Sequence, residues 1–260
     1  MKGKWFVGLA FVIACAAIGA MVGLLLTGED PKKVVQDLKV NNLYDRIPKL
    51  QLPAVLPSKV IYLNREGAEI THGVDEASKN RTSLVPKDKA AALIPAFTGS
   101  NSTWNKLVNC VREKFERYDV AVVDRRPIDA GYMMAVVGGK ADDLGRKETH
   151  HATGLAPFNG EPIPNAVVLI FSAALRNNVT AMCETAGMEI AHAYGLDHAR
   201  HCSDLMTYMK RCGARTFLDE DLKCGEHSDR DCPRGEKTQN SHQHLVKLLG
   251  PSAKKMASRN

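Results

Sequence analysis

The sequence has no Cys-x-x-Cys pair, no internal repeat and no low-complexity tract. The first absence argues against a zinc-finger module. Its short lysine pairs, such as Lys32-Lys33 and Lys254-Lys255, have no aromatic residues among them, so the net charge of +6 predicts a charged surface and no nucleic-acid partner. The 260 residues, 44% hydrophobic and 25% charged, suffice for one domain of roughly 200 residues with extensions, or for two small domains.

Charged side chains are also absent from Trp5 to Leu26, a run that follows Lys2 and Lys4. A helix rising about 1.5 Å per residue over this run can cross a hydrocarbon core of roughly 30 Å. The preceding lysines favour a cytoplasmic N-terminus. We therefore interpret residues 1–26 as an N-terminal hydrophobic helix, either a transmembrane anchor or a signal segment. Either interpretation predicts an extracytoplasmic protein, membrane-anchored or secreted.

The cysteines agree with export. Cys15 lies in the apolar run, and the other six of the seven cysteines follow it. An even number in an exported protein predicts disulfides, although the sequence alone allows many pairings. Proximity along the chain favours three bridges, Cys202–Cys212, Cys224–Cys232 and, from what remains, Cys110–Cys183.

The chain divides into a linker and a globular part. Residues 27–58 are polar and then proline-punctuated, which is typical of a stalk. Residues 59–210 have a globular pattern, and residues 211–260 are predicted to form a Cys-rich, irregular subdomain. Strands are expected at 60–63, 120–123, 133–137 and 166–171, and a short helix at 244–249.

Two longer helices are predicted between these strands and after them. Thr103 is expected to cap the first, in which apolar residues recur at helical spacing. Asn178 is expected to cap the second, and Gly195 can end it in a left-handed conformation. Strands leading into helices predict an α/β (α+β) fold with a mixed sheet.

The most informative segment runs from Gly187 to Tyr208. Two metal ligands four residues apart on a helix point the same way, and a glutamate beside them can take a proton from water. A glycine turn then brings round a further ligand, while zinc keeps one position open. Glu189, His192, Gly195 and His198 have the spacing that this chemistry requires.

This segment resembles the metzincin zinc proteases, whose pattern is His-Glu-x-x-His-x-x-Gly-x-x-His followed by a methionine turn. The resemblance implies a twisted mixed sheet with an active-site helix, a Zn²⁺ cofactor and a peptide or protein substrate. It makes Glu189 the general base and His192 and His198 zinc ligands. Met206, eight residues after His198, matches the methionine turn of matrixin-like members. Tyr208 resembles a tyrosine that in some relatives touches the metal or steadies the oxyanion.

The chain departs from the pattern at Met188, which occupies the position of the first histidine. A thioether is a weak ligand for zinc, which is normally held by imidazole, thiolate or carboxylate. The site could still bind zinc through His192, His198 and a substitute such as Tyr208 or Glu189. Alternatively, the domain is an inactive relative that binds peptides or proteins. In a further alternative, Met188, His192 and His198 together bind copper(I).

Other residues near the motif allow simpler interpretations. His192 and His198 could be hydrogen-bonded core histidines, and His201 could be a replacement ligand. His150-His151 are predicted to lie in a surface loop. Around residues 154–157 we expect an edge strand that pairs with extended substrate.

Overall fold

The computed structural model describes residues 57–128, 131–146 and 149–252. The predicted hydrophobic segment, residues 1–26, and most of the predicted linker, residues 27–58, lie outside the described residues. Within the described ranges, no helix is long and apolar enough to cross a membrane.

The described chain combines eight strands with four α-helices. In chain order the elements are β1 (Val60–Asn64), β2 (Ala68–His72), β3 (Arg81–Thr82), β4 (Ala92–Ile94), α1 (Asn101–Phe115), β5 (Ala121–Val123), β6 (Met133–Val137), α2 (Ala141–Leu144), β7 (Gly154–Leu155), β8 (Val167–Ile170), α3 (Val179–Ala193) and α4 (Ser241–Leu249). Single-turn 3₁₀ helices lie at Ala77–Lys79 and Pro233–Gly235.

Five of the strands form a mixed sheet in the order β5-β1-β6-β8-β7. The first four are parallel, and β7 runs antiparallel to β8 at the edge. Every residue of β6 and β8 is buried. Their uninterrupted apolar sequences suit central strands that are covered on both faces. The mixed α/β architecture predicted from the sequence is therefore confirmed, with strand ends shifted by one residue or so.

A second, three-stranded sheet in the order β3-β2-β4 was not predicted. Its strands have only two to five residues each, and the half-buried β2 sequence Ala-Glu-Ile-Thr-His carries little apolar signal. Ile70 of β2 and Ile94 of β4 are buried with Leu144 of α2 in one apolar cluster. That cluster includes Met134 and Leu169, so it covers one face of the central sheet.

The helices α1 and α3 pack on the other face, where Trp104 and Ile190 belong to the larger apolar cluster. The predicted cap of α1 at Thr103 is wrong: Ser100 is the N-cap, and its side chain accepts a hydrogen bond from the Thr103 backbone N–H. The cap therefore lies three residues earlier, where an extended residue can reach the free N–H groups of the first turn. Asn178 caps α3 as predicted, accepting from the Ala181 N–H.

After α3 the chain becomes irregular and is closed by disulfides. The three bridges are Cys110–Cys183, between α1 and α3, and the short-range pairs Cys202–Cys212 and Cys224–Cys232. All three match the pairing favoured by proximity. Disulfides persist in oxidising compartments, so three of them suggest an oxidising, extracytoplasmic environment.

Candidate active site

The helix α3 and the turn after it bring two imidazoles together. His192 lies in the last turn of α3, and Gly195 follows with φ +94°, a conformation that other residues resist. The chain turns at Gly195 and places His198 against His192, with ring centroids 4.5 Å apart and ring planes at 88° to each other. Two imidazoles bound to one zinc would have centroids about 5 Å apart, given bonds of about 2 Å. The rings are therefore close enough to share an ion.

Each imidazole is oriented by a backbone carbonyl. His192 Nδ1 lies 2.7 Å from the Leu196 carbonyl oxygen, and His198 Nδ1 lies 3.4 Å from that of Met206. A neutral imidazole whose Nδ1–H donates in this way keeps a lone pair on Nε2. Metal-binding histidines are commonly oriented by such contacts.

Burial keeps both rings neutral. It lowers the pKa of His192 to about 3, with a further contribution from the neighbouring His198. Burial also lowers the pKa of His198, against the opposing effect of Glu226 and Asp197. Neutral imidazole is the form that binds metals, so the electrostatics of this pair suit a metal ligand set.

The segment predicted to be a methionine turn contacts His198 through the Met206 carbonyl oxygen. Met206 is fully buried, and its carbonyl oxygen also accepts a 3.0 Å hydrogen bond from the Ala199 N–H. The buried carboxylate of Asp204 accepts hydrogen bonds from the backbone of Met206 and Leu218 and from the Ser241 hydroxyl. These bonds fix the backbone of the turn that contacts His198.

A cleft of about 590 Å³ opens in front of the histidines. Glu189, His192, His198 and Tyr208 line it together, so the structure brings four of the predicted site residues to one cavity. The strand β7, which is the edge strand of the sheet as predicted, also lines the cleft.

The side chain of Glu189 is buried where α3 faces this edge strand. A Cβ atom on Gly154 would lie 2.7 Å from Glu189 Oε1, so glycine allows the strand to approach the carboxyl group closely. Burial raises the pKa of Glu189 to about 8. Without a cation nearby, this carboxyl group is largely protonated at neutral pH.

Tyr208 is half exposed, with its ring centroid 4.9 Å from that of His198. Burial, with contributions from Glu226 and Glu189, raises its pKa. The phenol therefore keeps its proton at neutral pH and can donate a hydrogen bond into the cleft. Phe158, which the sequence did not single out, packs edge-on to His192 at 5.4 Å.

Met188 lies on α3 with 9% of its surface exposed. It borders a second cleft of about 320 Å³, which shares Glu189 and Tyr208 with the first. Among residues 57–128, 131–146 and 149–252, no three His, Cys, Asp or Glu side chains are already grouped to hold a metal. The two histidines fit zinc by orientation and neutrality, while a third ligand is not yet in place around them.

The remaining predicted histidines have different places. His150 and His151 are exposed residues that also line the cleft, and His150 contacts the Asp142 carboxylate. His201 Nδ1 accepts a 3.3 Å hydrogen bond from the Ser203 N–H, and the residue is not among those that line the cleft. The geometry thus gives no support to His201 as a replacement ligand.

Sequence reasoning missed Glu226 and Arg230, which line the cleft from the loop closed by Cys224–Cys232. Glu226 Oε1 lies 3.6 Å from His198 Nε2. Arg230 makes two hydrogen bonds to the buried Asp197 carboxylate, one of them 2.8 Å long. The short Cys224–Cys232 spacing indicated a closed loop, but no spacing rule indicated where its side chains would point.

Comparison with known proteins leaves the site to be interpreted from its own geometry. No protein-family model matches the chain, and no curated protein matches it. The metzincin resemblance accordingly stays a prediction, carried by the spacing of the motif residues.

Proposed function

We propose that this protein is an exported zinc metalloendopeptidase of metzincin type, which hydrolyses peptide bonds in peptides or proteins. The observation that carries the proposal is the convergence of His192, His198 and Glu189 on one cleft. The two imidazoles are neutral and oriented by backbone carbonyls, and a carboxyl group lies beside them. A pair of core histidines packed for stability alone would not need a carboxyl group and an open cleft in front of it.

The residues divide the chemistry among themselves. His192 and His198 would hold zinc through their Nε2 atoms. When bound, zinc supplies an electrophile that polarises water and a peptide carbonyl. Glu189 takes a proton from the attacking water and delivers it to the leaving amine. Tyr208 donates a hydrogen bond to the oxyanion that develops on the carbonyl oxygen.

The edge strand β7 supplies a binding mode for the substrate. Gly154 and Leu155 pair with β8 on one side only, and both line the cleft next to Glu189. An extended peptide can add to such an edge through backbone hydrogen bonds. This mode brings a scissile bond past the carboxyl group and does not demand particular side chains.

Hydrolysis of a quenched fluorescent peptide mixture by the zinc-loaded full chain tests the proposal. We expect Glu189→Gln to lower kcat/KM by at least about 100-fold, because a positioned general base typically contributes that much. Glu113→Gln, an exposed glutamate on α1, is the matched control and should retain full activity. Equal hydrolysis by wild type and Glu189→Gln would contradict the proposed role.

Met188 at the first-ligand position favours a second candidate, a peptide-binding module without activity. Such a module would bind extended peptides along β7 and release them uncleaved. Peptide binding measured without any hydrolysis, in a protein that also fails to retain zinc, would favour this candidate over the peptidase.

We further propose that residues 1–26 tether the protein to a membrane and leave the disulfide-bonded part outside the cytoplasm. The uncharged run from Trp5 to Leu26 and the two lysines before it support this arrangement. Fractionation of the expressed full chain tests it: membrane association that survives alkaline washing is expected, and full release into the soluble fraction would contradict the tether.

A further inference from the structure

The loop closed by Cys224–Cys232 is attached to the backbone of the motif segment. The Gly225 N–H donates a 3.0 Å hydrogen bond to the His198 carbonyl oxygen. The backbones of Cys224 and Ala199 form an isolated antiparallel β-bridge. Gly225 has φ +132°, and a Cβ there would lie 2.0 Å from the Ser228 carbonyl oxygen. Only glycine fits, so the residue that follows it enters the cleft from a tightly restricted position.

Charged contacts fasten the loop at Glu226 itself and four residues after it. Arg230 donates two hydrogen bonds to the carboxylate of Asp197. Asp197 is buried and directly precedes His198 in the sequence. Arg200 donates a 3.2 Å hydrogen bond to the carbonyl oxygen of Glu226 itself. The backbone that carries Glu226 is thus tied to the same turn that carries the second imidazole.

The distance between the Glu226 and His198 side chains bears on whether both can bind the same metal ion. Their nearest side-chain atoms, Oε1 and Nε2, are 3.6 Å apart, which is too long for a good hydrogen bond. Two ligand atoms that sit about 2.0–2.2 Å from one tetrahedral zinc are about 3.4 Å from each other. The observed distance therefore suits two atoms that face one ion.

We infer that Glu226 supplies the third protein ligand of the zinc site, in place of the first-motif histidine that Met188 has replaced. This inference rests on the proposed function. One carboxylate with two histidines is an established ligand set of catalytic zinc. The Glu226 side chain is 47% exposed, so its carboxylate can adjust to an ion held by the two imidazoles without leaving a packed position.

The alternatives fit the site less well. Glu189 is pressed against Gly154, and coordination would remove it from its role as base. Met188 offers only a neutral thioether. Using Glu226 leaves Glu189 unbound beside the cleft and leaves Tyr208 its proton to donate, so both proposed catalytic residues keep their roles.

Zinc affinity of the full chain, measured by competition with a chelator of known affinity, tests the inference. Removing a group that merely orients a ligand costs about 10–100-fold, so Glu226→Gln should weaken zinc binding by at least about 100-fold. Asp231→Asn removes one charge from the same loop, where its carboxylate faces Lys237, and should leave the affinity unchanged. Binding by Glu226→Gln within twofold of wild type would overturn the inference.

A rescue variant separates a missing ligand from a damaged loop. Met188→His places an imidazole four residues before His192 on the same helix face, so adding it to Glu226→Gln should recover at least tenfold in zinc affinity. No recovery would overturn the assignment of Glu226 as a ligand.

The outcomes also distinguish this inference from the proposed function. A wild-type chain that binds no zinc would overturn both. Zinc binding that is unaffected by Glu226→Gln, together with hydrolysis that depends on Glu189, would overturn the role of Glu226 alone.

Discussion

The described residues from 57 to 193 and the segment 195–240 hold their shapes by different means. The first buries apolar strands and helices in two clusters around the central sheet. The second contains no α-helix and no strand of either sheet. Leu205, Met206 and Phe217 anchor it in the larger apolar cluster, and the rest of it is held by isolated β-bridges, two short-range disulfides and charged contacts. Both contribute to the candidate site, since Glu189 and His192 come from α3 whereas His198, Tyr208 and Glu226 come from the irregular segment.

The difference shows how a site can be rigid without regular structure. The residues of α3 are fixed because the helix packs into the apolar core, so their positions are difficult to disturb. The irregular segment fixes its residues through particular contacts, each of which can be removed separately. We therefore expect changes in the first region to act mainly on global stability, and changes in the second to act on the geometry of the site as well as on stability.

The disulfides give the largest expected contrast. Cys110–Cys183 closes a loop of 73 residues and joins two core helices, so replacing both cysteines by alanine should lower the free energy of unfolding by about 4 kcal/mol. Cys224–Cys232 closes only 8 residues, for which about 2.5 kcal/mol is expected. Urea unfolding checks both values.

Zinc titration of the same two variants completes this comparison. Loss of Cys224–Cys232 should weaken zinc binding even in the folded protein, because it loosens the loop that carries Glu226. Loss of Cys110–Cys183 should leave the affinity of the folded protein unchanged. The reverse pattern would show that the two regions do not divide stability and site geometry in this way.

Arg230 provides a smaller effect inside the irregular segment. Replacing it by alanine leaves the buried Asp197 carboxylate without its bidentate partner, and about 2 kcal/mol of stability should be lost. Arg234→Ala is the control, because Arg234 pairs with a half-exposed Glu161 and such surface pairs contribute little. Equal stability losses in the two variants would show that the Asp197 contact has no special weight.

The smallest effect is a pH dependence that belongs to α3. The folded pKa of Glu189 is about 8 against an ordinary value of 4.5, so the stability its proton contributes is complete below pH 4.5 and is lost as pH rises towards 8. His192 acts in the opposite direction, because its folded pKa of about 3 lies below its ordinary 6.5, but only between those two values. The window from pH 6.5 to 8 therefore isolates Glu189.

In this window, the metal-free wild type should lose up to about 2 kcal/mol relative to Glu189→Gln. Unfolding by urea at several pH values, with a chelator present, provides the measurement. Parallel curves for the two proteins would mean that the carboxyl group is already ionised in the folded state.

The parts of the fold that the sequence predicted are those with a sufficiently long or local sequence pattern. The strand at 133–137 and the cap at Asn178 were predicted correctly, because a buried apolar run and a capping side chain act locally. The cap at Thr103 was misplaced because Ser100 offers the same hydroxyl chemistry three residues earlier. The small sheet of β2, β3 and β4 went unpredicted because its strands are too short for periodicity to register.

The sequence by itself determined the spacing of Glu189, His192 and His198, because helix geometry and one glycine turn relate them over ten residues. It also indicated the disulfide pairing, since short loops close most readily. Only the tertiary structure placed Glu226 beside His198 and Gly154 against Glu189. These neighbours lie 28 and 35 residues apart in sequence, and they meet through a disulfide-closed loop and a sheet edge, contacts that no local pattern encodes.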